Sequence, residues 1–282
     1  MLSMDRATFY KAALRSPPLT PEHAHLRSFE AGGKPFRLRV PPDEAALHDL
    51  VRQAHASVVA KLGAQTGADY EAAMRPAVAR LLADRPVYWS KIWPAGLALA
   101  RHLLESAGLC AQRSVLELGA GIGVGAVCAA IAGAFDVVVT DIEPVGLDYA
   151  LASARDNGVG ARVRALAWDW NAPPPDGLRG PFDLVLCGDV IYQDEHAPRL
   201  GVLLSTLVKP GGLVVFSDSL ERPYKEGHQS VLVAKLLQSG FEQHASHDVA
   251  VEVEERSTGG IAAGKHVRVL LYRRPAKAKA RR

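Results

Sequence analysis

A chain of 282 residues, 48% hydrophobic and 22% charged, has the make-up of an ordinary globule large enough for one α/β domain with an appendage; no fibre or repeat class is indicated. The formal net charge is only +3, and much of the excess lies in the last ten residues, RRPAKAKARR, so a nucleic-acid-binding face is not indicated. No apolar run is long enough to span a membrane, and Cys110, Cys128 and Cys187 are too scattered for a disulfide framework or a zinc site, so no metal is expected and a reducing compartment is.

The opening stretch MLSMDRATFYKAALR lacks the apolar core of a secretory signal, and Asp5 with few serines argues against a transit peptide. The expected location is cytoplasmic, with organellar and nuclear targeting left open. Residues 1–86 read as an irregular and helical extension. Pro17, Pro18 and Pro21 break its start, Phe36 to Val40 alternates as an edge strand does, and helices are expected over 43–62 and 69–83. His48 and His55 fall in the first of these without a third ligand. Next come Tyr88-Trp89-Ser90-Lys91-Ile92-Trp93 and a helix to about Ser106 with Leu97, Ala100, Leu103 and Leu104 on one stripe. Trp93 either buries itself against that helix or walls a cofactor pocket.

From Ser114 to Asp141 the chain reads as strand, glycine turn, helix, strand and acid. Gly119, Gly121, Gly123 and Gly125 remove side chains where a ligand must approach the backbone, and the helix is expected from Val127. The second strand, Asp136 to Thr140, delivers Asp141 at the separation where such folds put a carboxylate on ribose hydroxyls. Gly121, Gly123 and Ala126 also fit the dinucleotide pattern G-x-G-x-x-A. That pattern should begin directly after the strand, however, and from Gly119 it fails at Val124.

A helix from Pro144 to Asn157 and a strand from Arg162 to Leu166 lead to Trp168-Asp169-Trp170-Asn171. After a proline-rich loop, the unbroken apolar run Leu184 to Cys187 suits a central parallel strand covered on both faces. It delivers Gly188-Asp189-Val190-Ile191-Tyr192, and ligands bind at the carboxyl ends of such strands. Asp189 could also cap the next helix, but that helix is expected only from Glu195. A Lys209-to-Gly212 turn, a strand from Leu213 to Ser217, a helix from Tyr224 to Ser239 and antiparallel strands over Val249–Val253 and His266–Tyr272 complete the pattern. His244 and His247 are expected on the surface before that terminal pair.

The run Glu117-Leu-Gly119-Ala-Gly121-Ile-Gly123 resembles the E/D-x-G-x-G-x-G motif of class I S-adenosylmethionine-dependent methyltransferases. Asp189-x-x-Tyr192 and the tryptophan-led helix at Trp93 resemble the family 16 group, which contains many protein-lysine methyltransferases. The resemblance implies an α/β fold: a Rossmann-like seven-stranded sheet of order 3-2-1-4-5-7-6 with strand 7 antiparallel. The methyltransferase domain would span 87–272, with a helical extension over 1–86 leaning on the cofactor side and a disordered basic tail over 273–282. It implies S-adenosyl-L-methionine as cofactor, held by Glu117, Gly119, Gly121, Gly123 and Gly188, with Asp141 on the ribose, Asp169 and Trp170 at the adenine, and Trp93 as a wall. Asp189 would hold the acceptor amine and Tyr192, one helical turn on, would orient it; the acceptor would be a protein lysine. Val190-Ile191 stand where amide and base methyltransferases carry two prolines, which weighs against a nucleic-acid or small-molecule acceptor. Both acceptors, and a non-catalytic interaction module, stay open.

Overall fold

The computed structural model describes residues 20–41, 88–193, 195–220, 225–255 and 260–276. The helices expected over 43–62 and 69–83, with His48 and His55, and residues 277–282 lie outside the described residues. In chain order the elements are β1 (His25–Ala31), β2 (Lys34–Val40), α1 (Pro94–Glu105), β3 (Ser114–Leu118), α2 (Val124–Ile131), β4 (Asp136–Asp141), α3 (Pro144–Asp156), β5 (Val163–Ala167), β6 (Phe182–Gly188), α4 (His196–Leu207), β7 (Val208–Ser219), α5 (Lys225–Gln238), β8 (Glu242–Glu255) and β9 (Gly260–Arg273).

The main sheet runs β5-β4-β3-β6-β7-β9-β8. Counted along the sheet-forming strands alone, this is the expected order 3-2-1-4-5-7-6, and β9 is antiparallel to both its neighbours. The central strand β3 is buried at every position, because α1, α2 and α3 pack on one face of the sheet and α4 and α5 on the other. A strand covered on both faces cannot alternate, which is why Leu184–Cys187 of the neighbouring β6 reads as an unbroken apolar run, while β3 also buries Ser114 and Glu117. Helix ends follow local chemistry: α1 and α3 each begin on a proline, whose missing N–H costs nothing in the first turn, and α3 stops at Asn157 before Gly158 at φ +72°.

The described part of the N-terminal extension is a short 3-10 turn over Pro21–His23 followed by a β-hairpin, in which the expected strand Phe36–Val40 falls within β2. Phe36, Leu38 and Val40 alternate inward from β2 and join the core beside α3. Arg39 Nε meets Asp156 Oδ2 at 2.6 Å, Arg39 N donates to Ser153 Oγ and Arg37 N to Asn157 Oδ1. At the turn, Gly32 is pressed against Glu105. These anchors are the C-terminal ends of α3 and α1, whereas ligands sit at the other end of such helices. This hairpin therefore stands away from the cofactor side.

The terminal strands are longer than expected, since β8 and β9 go on pairing to Glu255 and Gly260 after β9 has left β7 at Val267 and Ser219. His244 and His247 consequently lie within β8. His244 Nε2 is 3.0 Å from an Arg273 guanidinium nitrogen, and the His247 ring packs 5.3 Å from that of His102. Lys209–Gly212 is drawn into β7 instead of forming a separate turn. The ordered chain also outlasts Arg273, because Arg274 exchanges backbone hydrogen bonds with Gly211 and Gly212. Among the described residues no helix is long and apolar enough to cross a membrane.

Candidate active site

A cleft of about 810 Å³ opens at the carboxyl ends of β3, β4 and β6. It gathers Trp93, Glu117, Gly119, Gly121, Asp141, Asp169, Trp170, Gly188, Asp189 and Tyr192, residues spread over a hundred positions of sequence. Gly123 is not on its wall. A Cβ at Gly123 would come 2.4 Å from Ala150 Cβ, so this glycine lets the loop lie on α3.

Gly119, Gly121 and Gly123 have φ of +61°, +54° and +76°, the left-handed region that side chains other than glycine rarely adopt. Space around these glycines is tight as well. A Cβ at Gly119 would lie 2.9 Å from Val190 Cγ1, and one at Gly121 2.8 Å from the Trp89 carbonyl oxygen. Helix α2 begins at Val124, three residues before the expected Val127, because Glu117 caps it from inside the sheet. Its Oε2 accepts from Ala126 N at 2.7 Å and its Oε1 from Gly125 N at 3.2 Å. Gly125 thus belongs to the helix, and it must be glycine because a Cβ would sit 2.4 Å from Glu117 Oε1.

Asp141 braces the same loop. Its Oδ2 accepts from Gly121 N at 2.7 Å and its Oδ1 from Glu143 N at 2.8 Å, with Ile142 N a further backbone donor, and the carboxylate still has acceptor capacity for a hydroxyl. Burial pushes the Glu117 carboxyl up to about 8, against the pull of its two backbone donors and helped by nearby Asp141. Burial likewise raises Asp141, opposed by its own backbone donors. Two acids held this way favour a ligand that brings positive charge.

Beyond β5, Asp169 Oδ1 accepts from Asn171 N in a tight turn, while the Trp168 backbone bonds the Asp141 carbonyl and ties this turn to β4. Trp170 closes that side, its carbonyl held by Arg199 Nε at 3.0 Å. The opposite wall is aromatic. Trp93 Nε1 donates to the Tyr88 carbonyl, the Tyr88 ring stands edge-on to both Trp93 and Tyr192 at 5.8 Å, and Lys91 Nζ lies 5.6 Å from the centre of the Trp93 ring.

After β6, Asp189 adopts φ +56° while its N–H bonds the Ser217 carbonyl at 2.8 Å. Asp is among the few residues that tolerate this conformation, and such strain persists where surrounding contacts hold it. The stretch to Tyr192 is a loop, so the expected spacing of one helical turn is corrected: Asp189 and Tyr192 are brought into one cleft by a left-handed bend. Asp189 is buried, and α4 starts at His196 with Glu195, not Asp189, in its N-cap position.

Sequence reasoning missed several wall residues: Ile142, 45% exposed within the cleft, Glu143, Gln193, and His196 at the start of α4. Ile142 and Glu143 follow Asp141 directly, and that adjacency could have found them. His196 carried no local signal. Among the described residues, no group of three or more His, Cys, Asp or Glu side chains stands ready to hold a metal ion.

Residues 88–229, half of the chain, match the lysine methyltransferase family. The chain belongs to that family. The match covers the cleft-lining loops from Tyr88 onward and leaves out the β1–β2 hairpin. Among curated relatives, this family member is 30% identical over 141 residues to the mouse electron transfer flavoprotein beta subunit lysine methyltransferase, covering 50% of this chain and 53% of that one. It is 32% identical over 136 residues to mouse EEF1A lysine methyltransferase 3, covering 46% and 56%. The chain therefore spans about half the length of the curated relatives it matches. A solved structure from work on the conversion of a disulfide bond into a thioacetal group during echinomycin biosynthesis superposes with a TM-score of 0.50 at 17% identity, over 66% of this chain and 83% of that one, and shares the fold.

Proposed function

We propose that this chain transfers the methyl group of S-adenosylmethionine to a lysine side chain of a protein. The observation that carries the reading is the packing of the Asp189–Tyr192 loop onto the glycine loop: Val190 lies so close to Gly119 that no Cβ fits between them. An acid and an aromatic presented for an acceptor thus adjoin the loop expected to take the cofactor. Family membership and the names of the relatives support the same reading.

The residues present fit the cofactor. The cleft is of a size that holds a large small-molecule ligand, its floor is glycine backbone, and Asp141 keeps acceptor capacity for a ribose diol. Glu117 stands behind the loop for the cationic amino-acid end, and Asp169, Trp170 and Ile142 offer a polar edge and apolar faces to a flat base. Bound there, S-adenosylmethionine supplies an electrophilic sulfonium methyl, and transfer is an in-line displacement by an unprotonated amine. Asp189 accepts a hydrogen bond from the acceptor nitrogen and Tyr192 bounds its approach, so the chain contributes alignment more than bond chemistry. The aromatic wall of Tyr88, Trp93 and Tyr192 offers an entering lysine apolar surroundings, and desolvation beside a sulfonium lowers the pKa of its amine.

The test is incubation with methyl-labelled S-adenosylmethionine and two acceptors, a cell extract and purified electron transfer flavoprotein beta subunit. Label should enter protein, resist nuclease, and appear as methyl-lysine after hydrolysis. Label released by nuclease, label confined to small molecules, or none in either acceptor would overturn the reading.

A further inference from the structure

The first turn of α4 reaches both walls of the cleft. Buried His196 sets its Nδ1 2.9 Å from the Val190 carbonyl oxygen; a carbonyl only accepts, so this nitrogen carries the proton. Its ring meets Tyr192 edge-on at 4.6 Å and 85°, and Trp170 at 5.4 Å and 78°. Arg199, one turn on, holds the Trp170 carbonyl from the same helix. Val190, whose carbonyl His196 grips, is the residue lying against Gly119. One imidazole therefore touches the acceptor-side aromatic, the far tryptophan wall and the residue that rests on the glycine loop.

We propose that His196 is a positioning residue that holds Asp189 and Tyr192 in register with the glycine loop, so that acceptor and donor meet in line. The inference rests on the methyltransferase reading above. Asp189 sits in a left-handed conformation that relaxes unless its neighbours hold it, and the next carbonyl is the one His196 grips. In-line transfer is sensitive to such slack, since a misplacement of about 1 Å can cost on the order of a hundredfold in rate.

Two substitutions separate the contacts. His196→Asn keeps an N–H near the place of Nδ1 without the ring, and His196→Phe keeps a ring without the donor. With cell extract as acceptor and labelled S-adenosylmethionine varied, His196→Phe should lower the saturating rate about tenfold, with cofactor KM and S-adenosylhomocysteine affinity within about threefold. His196→Asn should recover most of the rate. Amide exchange across residues 188–193, measured on protein loaded with S-adenosylhomocysteine, should quicken in the Phe variant and not in the Asn variant. An unchanged rate, equal losses in rate and cofactor affinity, no recovery in the Asn variant, or unchanged exchange would overturn the assignment. Wild-type protein that labels no lysine would instead overturn the methyltransferase reading, and the exchange measurement, which needs no turnover, would still decide whether His196 holds the loop.

Discussion

Gly146, on the first turn of α3, lies so close to Gly121 that a Cβ on it would stand 2.6 Å from the Gly121 carbonyl oxygen. The other side of Gly121 faces the Trp89 carbonyl, so the loop is clamped between a helix and a backbone with no room on either side. Gly146→Ala should therefore shift the loop and weaken S-adenosylhomocysteine binding about tenfold or more, about 1.4 kcal/mol, by calorimetry. Thermal stability should fall less than that shift suggests, because alanine favours the helix it enters. Unchanged affinity would show that the loop can move aside freely.

Asp141→Ala removes a carboxylate that serves the backbone and, on the proposed reading, a ribose. Cofactor affinity should drop by about 1.5–3 kcal/mol, the range for hydrogen bonds to a charged group. Because Gly121 and Glu143 N–H lose their partner, the apoprotein should also melt lower. A variant that binds normally would take Asp141 out of the site.

Glu117 carries a pH signature. Burial raises its folded pKa from the ordinary 4.5 to about 8, so between those values the folded chain keeps a proton that the unfolded chain has released. Stability of the apoprotein should then fall as pH rises from about 4.5 to about 8 and level off above, with Asp141, also raised, adding to the slope. Glu117→Gln should flatten this dependence while costing one of the two hydrogen bonds to α2, since its amide turns a donor toward a donor. Melting curves at pH 5 and pH 8 for both proteins decide it. Equal slopes would mean that Glu117 is ionised throughout.

Asp189→Asn should separate binding from turnover. Asparagine tolerates the left-handed backbone that alanine does not, so this change tests the charge with little added strain. Affinity for S-adenosylhomocysteine should stay within about threefold while the rate of methyl transfer falls strongly at saturating cofactor. Loss of cofactor binding in proportion to rate would move Asp189 into the cofactor site. Tyr192→Phe is the companion: a slow variant makes the hydroxyl an orienting group, and a normal one leaves only the ring.

Leu38→Ala tests the hairpin. Leu38 is fully buried on β2 against the core beside α3, so truncation should cost about 2–5 kcal/mol, read from denaturant unfolding. Cofactor affinity should not change, because the hairpin packs at the opposite ends of α1 and α3. A loss of affinity at unchanged stability would tie the hairpin to the site.

By itself the sequence determined whatever depends on neighbours in the chain. An unbroken apolar run marked β6 as a strand covered on both faces, Pro94 and Pro144 marked helix starts, and Asn157-Gly158 marked a stop. The glycine spacing with Glu117 and Asp141 located the cleft because a side-chain-free loop and an acid one strand later are a local pattern. Only the tertiary structure decided what depends on residues that meet across the fold. Gly125 reads as part of the turn until the Glu117 carboxylate is found where its Cβ would be. Gly123 reads as a ligand-facing glycine until Ala150 is found against it. Asp189 and Tyr192 read as one helical turn apart until a left-handed residue bends the loop instead. His196 has no pattern at all around it, since the Val190 carbonyl, the Tyr192 ring and the Trp170 wall reach it from two separate loops. Periodicity reports which face of an element is buried, but it carries no information about which distant atom occupies the space beyond that face.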